Sequence, residues 1–293
     1  MKTKYSFFDN LFKDRRLSLI LALIFLAGSF ALQFISNKYL QGDWVFLTFL
    51  MSEWSMLFAV LIFIQRRMKG GIAGIDIVPE KAFKYYGIGI LIGTVMFILF
   101  LLLAVVRGDY AVNGLAESIN WVMVILFAIA FVGQGALEEV VFRGFLMRFI
   151  GRRTSILLGL IISSIVFSLL HLPGRETTFL VFINTFLLAA LFSILLLLTR
   201  SLFLPCGLHF AWNFVEMVVF NTPNSSEQVS TAVFKTSYLS NNVFLTGGTY
   251  GPEGSVYTTI IVLLFLIVSL VLYRKKRGFK ELLSKEPLES PAS

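Results

Sequence analysis

Ionisable residues interrupt the apolar segments of this sequence. Glu138, Glu139 and Arg143 lie within one long apolar stretch, and the only two histidines, His171 and His209, lie in two later ones. An ionisable side chain near the middle of a bilayer costs about 2.5 to 3.5 kcal/mol on insertion scales, so such residues usually face a bundle interior and mark a functional site. The pattern therefore favours a polytopic membrane enzyme.

Helical spacing divides the two adjacent acids between two roles. Glu139 and Arg143 are four residues apart with the acid first, which is the favourable order for an ion pair, so we assign them to structural support of the helix. Glu138 points about 100° away on a helix and is free to face another neighbour. A carboxylate in a low-dielectric cavity can act as general base on water. An interhelical clamp is the alternative interpretation of the group.

The two histidines can complete a hydrolytic site around Glu138. Glu138 and His171 are equally distant from a basic turn at 151–154, so in a helical hairpin they can meet at the same depth. His209 and Asn213 are four residues apart and share a helix face. Imidazole can shuttle a proton, and a His/Asn pair can donate to a developing oxyanion. The set suits peptide hydrolysis, whereas a packing role is the alternative for each histidine.

The composition requires these residues to sit in a membrane protein. With 57% apolar residues and 31 phenylalanines in 293 residues, the chain cannot hide its apolar surface in a water-soluble core. The apolar runs are too long for barrel strands, so an all-α polytopic bundle of about eight transmembrane helices is predicted. The predicted spans are residues 17–36, 45–64, 86–106, 121–149, 155–172, 179–198, 202–220 and 256–273.

The net charge of +8 follows from topology, and no nucleic-acid surface is predicted. If the amino terminus is cytoplasmic, 20 of the 25 Lys and Arg residues fall on that side, 4 fall on the other, and the remaining one is Arg143. This bias is typical of positive-inside sorting and places both termini in the cytoplasm.

One membrane domain is expected over residues 1–273, with the motif-bearing core at 121–220 and a short charged tail at 274–293. The polar loop 221–255 is the longest between spans, so it is either a solvated connector, a cover over a cavity mouth or a partner contact. Gly89 and Gly93, spaced as G-x-x-x-G, predict a close helix packing contact.

Three motifs together resemble a known family. Glu138-Glu139-x-x-x-Arg143, Phe167-x-x-x-His171 and His209-x-x-x-Asn213 are similar in order and spacing to the motifs of the CAAX protease and bacteriocin-processing family, the type II CAAX prenyl endopeptidases. Each motif alone is weak, but three on three predicted spans are specific.

The resemblance implies a multi-helix intramembrane protease in which Glu138 and His171 activate water while His209 and Asn213 stabilise the oxyanion. It implies a membrane-associated peptide or protein substrate but does not identify it, since members process prenylated proteins or act in bacteriocin maturation, self-immunity or peptide signalling. Short loops and no organellar targeting segment favour a bacterial plasma membrane.

The choice between metal-free and zinc chemistry depends on ligand counting. A catalytic zinc takes three protein ligands plus water, which Glu138, His171 and His209 could just supply, but Glu138 would then no longer be free as base. We therefore expect no cofactor, with zinc as the alternative. Two alternative functions are open. One is a non-enzymatic immunity or partner-binding protein. The other is a transporter that uses Glu53, Glu138, Glu139 and Glu216, but the sequence lacks the inverted repeat that is typical of transporters.

Overall fold

The computed structural model describes residues 15–68, 70–172, 178–222 and 229–285. Within these ranges eight apolar helices pack into a bundle, which confirms the predicted all-α polytopic fold class. Their bounds are α1 Arg15–Tyr39, α2 Asp43–Arg67, α3 Ala82–Val106, α4 Trp121–Gly151, α5 Ile156–Leu170, α6 Phe179–Thr199, α7 Phe203–Val219 and α8 Val256–Lys276.

Two of these helices are shorter than the sequence predicted. By length and composition, six of the described helices can cross a membrane, whereas α5 and α7 are shorter apolar helices. The 15 residues of α5 extend roughly 22 Å, less than a hydrocarbon core of about 30 Å. Because α5 ends at Leu170, His171 forms its carboxyl-terminal cap.

Polar caps decide where the site-bearing helices begin. The side chain of Asn120 accepts a hydrogen bond from Met123 N at the start of α4, and the Ser155 hydroxyl accepts one from Leu158 N at the start of α5. Each cap satisfies an amide that the first turn of a helix leaves unpaired. Gly159 keeps α4 and α5 close, since a Cβ there would lie 2.4 Å from the carbonyl of Met147.

A close helix contact joins α3 and α7. A Cβ at Gly89 would lie 2.2 Å from the Leu204 carbonyl oxygen, and one at Gly93 would lie 2.5 Å from the Leu208 carbonyl oxygen. Only glycine leaves room for the two backbones, which confirms the packing contact predicted from the G-x-x-x-G spacing. This contact holds α7 in position.

The described part of the loop 221–255 is an ordered cap over one end of the bundle. Strand β2 (Phe234–Tyr238) pairs antiparallel with β1 (Tyr110–Leu115), and neither strand was predicted. Asp43, at the start of α2, accepts four hydrogen bonds of 2.6–2.9 Å from Ser230 and Thr231. Because the segment is tied to the helices in this way, the interpretation as a solvated connector is wrong for its described residues.

The start of the predicted charged tail also contacts the bundle. Helix α8 continues three residues past the predicted end of the span, and a helical turn follows at Lys280–Leu283. Leu282 is buried, and Glu281 pairs with Arg200 at 3.2 Å. Residues 286–293 of the predicted tail lie outside the described residues.

Candidate active site

A cavity of about 420 Å³ lies among α2, α4, α5, α6, α7 and the cap. The four residues that the sequence predicted to be catalytic, Glu138, His171, His209 and Asn213, all line it. Much of the remaining wall is apolar, including Phe46, Phe49, Leu50, Phe131, Phe142, Phe167, Leu170, Leu188 and Phe192. A polar group in such a wall meets little competing water, so its electrostatic interactions are stronger than on a surface.

The two carboxylate oxygens of Glu138 differ in their hydrogen bonding. Its Oε1 accepts a 3.0 Å hydrogen bond from Nε2 of Gln134, one turn earlier on α4. Its Oε2 is buried and has no hydrogen-bond partner among the described residues. This oxygen lies 3.7 Å from Nε2 of His171 and 3.9 Å from Nε2 of His209. The predicted meeting of Glu138 and His171 at one depth is thereby confirmed.

Both histidines turn the same ring nitrogen toward Glu138. Nδ1 of His171 is 2.8 Å from the Phe167 carbonyl oxygen, which can only accept a hydrogen bond, so Nδ1 carries the proton. Nδ1 of His209 lies 3.0 Å from Glu139 Oε1 and donates to that carboxylate in the same way. In each neutral ring Nε2 therefore presents a lone pair to the space beside Glu138.

Glu139 joins α4 to α7. The ion pair predicted from the i,i+4 spacing is present, with Arg143 Nη1 2.9 Å from Glu139 Oε1, and both side chains are almost fully buried. The same oxygen accepts from His209. The Arg143 guanidinium also lies 4.4 Å from the ring centroid of Phe167 and 5.1 Å from that of Phe192, within cation–π range. The His209 contact was missed because the two residues are 70 positions apart.

Asn213 reaches Glu138 through a second amide. Its Nδ2 donates a 2.9 Å hydrogen bond to Oε1 of Gln134, whose own Nε2 donates to Glu138. The chain of two amides fixes the rotamer of the carboxylate. Gln134 precedes Glu138 by one helical turn, and its bond to Asn213 was not predicted from the sequence.

Two helices widen next to these side chains. The α4 helix takes π-helical turns over Val140–Met147, directly after Glu139, and α7 does so over Val215–Val219, directly after Phe214. Such turns are rare and occur frequently at functional sites. They shift the register of the residues that follow. Glu216 comes seven residues after His209, which places both on one face of α7, and both line the cavity.

Three further glutamates line the cavity: Glu53, Glu216 and Glu253. From the sequence, Glu53 and Glu216 were named only for the alternative transporter function, and Glu253 was given no role. Glu253, in the cap, accepts a 2.8 Å hydrogen bond from Trp212 Nε1, and the Tyr250 hydroxyl donates to the carbonyl of His171 at 3.0 Å. A signal for Glu53 existed, since Phe46, Phe49 and Glu53 follow an i, i+3, i+7 spacing on one face of α2. The cap residues carried no periodic signal.

The residues fit a zinc ion in chemistry and lie slightly farther apart than the ligands of a bound ion. Two imidazole Nε2 atoms and a carboxylate oxygen are suitable donors, but zinc bonds of about 2.0–2.1 Å put neighbouring tetrahedral ligands roughly 3.3–3.4 Å apart. The Glu138 Oε2 atom lies 3.7 and 3.9 Å from the two nitrogens. No group of three or more His, Cys, Asp or Glu residues in the described part of the chain is arranged to hold a metal ion.

The fold and the cavity together define a polytopic membrane protein with a buried site of glutamate and histidine side chains. Residues 119–215 match the family model of the type II CAAX prenyl endopeptidase Rce1-like proteins. The match confirms the resemblance inferred from the three motifs and supports a CAAX-type intramembrane protease. The segment contains every predicted catalytic residue. Searches of curated proteins and of solved structures gave no match.

Proposed function

We propose that this protein is an intramembrane endopeptidase that hydrolyses a membrane-associated peptide or protein with a water molecule activated by Glu138. The proposal depends on the position of Glu138 Oε2. This unpaired oxygen lies within 4 Å of Nε2 of both histidines, at the wall of a cavity. A water molecule between these atoms can donate its two hydrogens to two of them, which leaves a lone pair for a substrate carbonyl.

In this proposal Glu138 takes a proton from the attacking water as the water oxygen bonds to the scissile carbonyl carbon. His171 accepts the second water hydrogen at Nε2 and orients the nucleophile. The proton is then passed to the leaving amine as the C–N bond breaks, and the carbonyl re-forms on the new carboxyl group. Gln134 keeps Oε1 of Glu138 occupied, so that Oε2 acts as the base.

We assign the developing oxyanion to His209 and Asn213. His209 acts here in the form that has taken a proton from solvent at Nε2 before the substrate binds. Glu139 stabilises this imidazolium through Nδ1, and the Nε2–H can donate to the oxyanion. Asn213 retains one amide hydrogen beyond the one given to Gln134. Glu139 and Arg143 act as structural support because they fix the His209 ring without lining the cavity.

The setting of this reaction is also proposed from the sequence. We infer one membrane domain in a bacterial plasma membrane with both termini in the cytoplasm, on the basis of the Lys and Arg distribution. The cap that residues 229–255 form then lies on the opposite side of the membrane from the termini.

A peptide library tests the proposal. The purified protein, reconstituted in lipid nanodiscs, is offered quenched fluorescent peptides, and products are identified by mass spectrometry. We expect cleavage by the wild type and by Glu117→Gln, which changes an exposed glutamate outside the cavity. We expect none by Glu138→Ala at an unchanged thermal midpoint. Equal cleavage by Glu138→Ala contradicts the assignment of the base.

Metal analysis of the active protein tests the expected absence of a cofactor. A metal-free site keeps its activity in chelator and contains no stoichiometric zinc. Stoichiometric zinc, with activity lost to chelator and restored by zinc alone, contradicts a metal-free site and assigns Glu138, His171 and His209 as ligands instead.

A further inference from the structure

Glu53 is an intramembrane carboxyl group that lies outside the matched segment and that the proposed reaction does not use. It lies on α2, ten residues from the start of that helix, and its side chain lines the same cavity as Glu138. The oxygen Oε2 of Glu53 is buried and has no hydrogen-bond partner among the described residues. A buried polar atom without a partner costs about 1–3 kcal/mol, so it needs an explanation such as a bound group that the site is built to receive.

The neighbours of Glu53 on α2 are satisfied within the protein. The Ser52 hydroxyl donates to the Phe49 carbonyl and accepts from Gln33, and the Trp54 indole donates to the Ile129 carbonyl at 2.9 Å. Both side chains serve helix packing. Glu53 differs from them because its side chain lines the cavity while its Oε2 has no hydrogen-bond partner among the described residues.

The charges around the cavity favour one kind of donor for this oxygen. The lining contains four glutamates, and among its described residues none is Lys or Arg. Glu138 accepts a hydrogen bond from Gln134, and Glu253 accepts one from Trp212. A ligand that carries a protonated nitrogen supplies the missing hydrogen bond and favours the ionised form of the carboxyl group, whereas an acidic ligand disfavours that form.

We propose that Glu53 is a specificity-determining residue that selects peptides presenting a protonated nitrogen within the cavity, either a Lys or Arg side chain near the scissile bond or a free amino terminus. The inference rests on the proposed peptidase function and names its substrate class. Glu53 makes no contact with the reacting atoms in this scheme. It holds the substrate while Glu138 and the histidines carry out hydrolysis.

Matched peptides test the selection. Each cleaved peptide is compared with versions in which Lys is replaced by norleucine, Arg by citrulline, or the amino terminus is acetylated, which separates the two sources of the cation. We expect the cationic peptide to have about 10- to 100-fold higher kcat/KM in the wild type, as for a charge-assisted hydrogen bond. Glu53→Gln abolishes this preference, and Glu53→Lys reverses it toward Glu-containing peptides. Glu117→Gln keeps the wild-type preference.

Binding separates this inference from the proposed chemistry. Affinities of the same peptides are measured by fluorescence anisotropy with Glu138→Ala and with Glu138→Ala/Glu53→Gln, neither of which needs to cleave. A cationic preference that disappears in the double variant supports Glu53, even if the proposed hydrolysis is wrong. A wild type that cleaves without cationic preference, or Glu53→Gln that retains the preference, overturns the inference. Glu53→Gln decides the result alone if Glu53→Lys does not fold.

Discussion

The two adjacent glutamates of α4 face two regions that differ in exposure and in charge partner. In the buried network of Glu139, Arg143 and His209, one carboxylate oxygen accepts from two donors, and both acid and base are almost completely excluded from solvent. At the cavity wall, Glu138 is partly exposed, and its Oε2 faces the Nε2 atoms of both histidines. An ion-paired carboxylate enclosed by protein fixes geometry, whereas a carboxylate at a cavity wall can reach a substrate. The comparison indicates that the helix separates support from chemistry by 100° of rotation.

The largest expected effect separates the two glutamates by activity. Glu138→Gln keeps an acceptor for Gln134 but removes the base, so we expect a loss of kcat on the order of 10,000-fold with little change in the thermal midpoint. Glu139→Gln should instead lower the thermal midpoint clearly and reduce kcat less. Parallel measurement of peptide cleavage and detergent unfolding checks this contrast. Equal stability losses in both variants would remove the distinction between the two regions.

The second prediction concerns the ion pair within the network. Arg143→Gln or Glu139→Gln leaves an uncompensated buried charge, so we expect each to lower the free energy of unfolding by about 3–5 kcal/mol. The double variant should cost less than the two single losses added, because neither charge is then stranded. A double-mutant cycle from unfolding in nanodiscs measures the coupling. Simple additivity would mean that the pair contributes no interaction.

A smaller effect tests the amide chain at the cavity wall. Asn213→Ala removes one donor, and we expect about a 100- to 1000-fold loss of kcat. If Asn213 acts at the oxyanion, Gln134→Ala should lose less activity, since only the orientation of Glu138 is relaxed. Comparing kcat and KM of the two variants decides between the roles. Identical losses would favour a shared positioning role.

The smallest effect is expected for the exposed ion pair between Lys235 of the cap and Glu117. The hydrogen bond and charge of Lys235 lower the pKa of Glu117. The stabilisation is therefore fully present above the ordinary glutamate pKa and is lost as the pH falls through the lowered value. Because solvent screens exposed charges, Lys235→Gln should leave the thermal midpoint at pH 7 unchanged within error. Midpoints recorded between pH 3 and 7 check this. A loss as large as that of Arg143→Gln would contradict the comparison of buried and exposed pairs.

Much of the bundle and part of the site could be predicted because their signals are local. The apolar runs give the eight helices to within a few residues, and the i,i+4 spacing gives the pair of Glu139 and Arg143. Equal distance from a turn was sufficient to bring Glu138 to His171. The two strands were not predicted because they are short and lie in polar segments that are far apart in the sequence.

The sequence by itself determined the membrane fold and the residue types of the site, since burial in lipid demands long apolar helices and leaves each intramembrane charge conspicuous. Only the tertiary structure decided how those groups share hydrogen bonds. Packing between distant segments determines three features: the contact of His209 with Glu139, the placement of the cap and the unpaired oxygen of Glu53. Helical periodicity describes the faces of one helix, but it carries no information about which neighbour each face will meet.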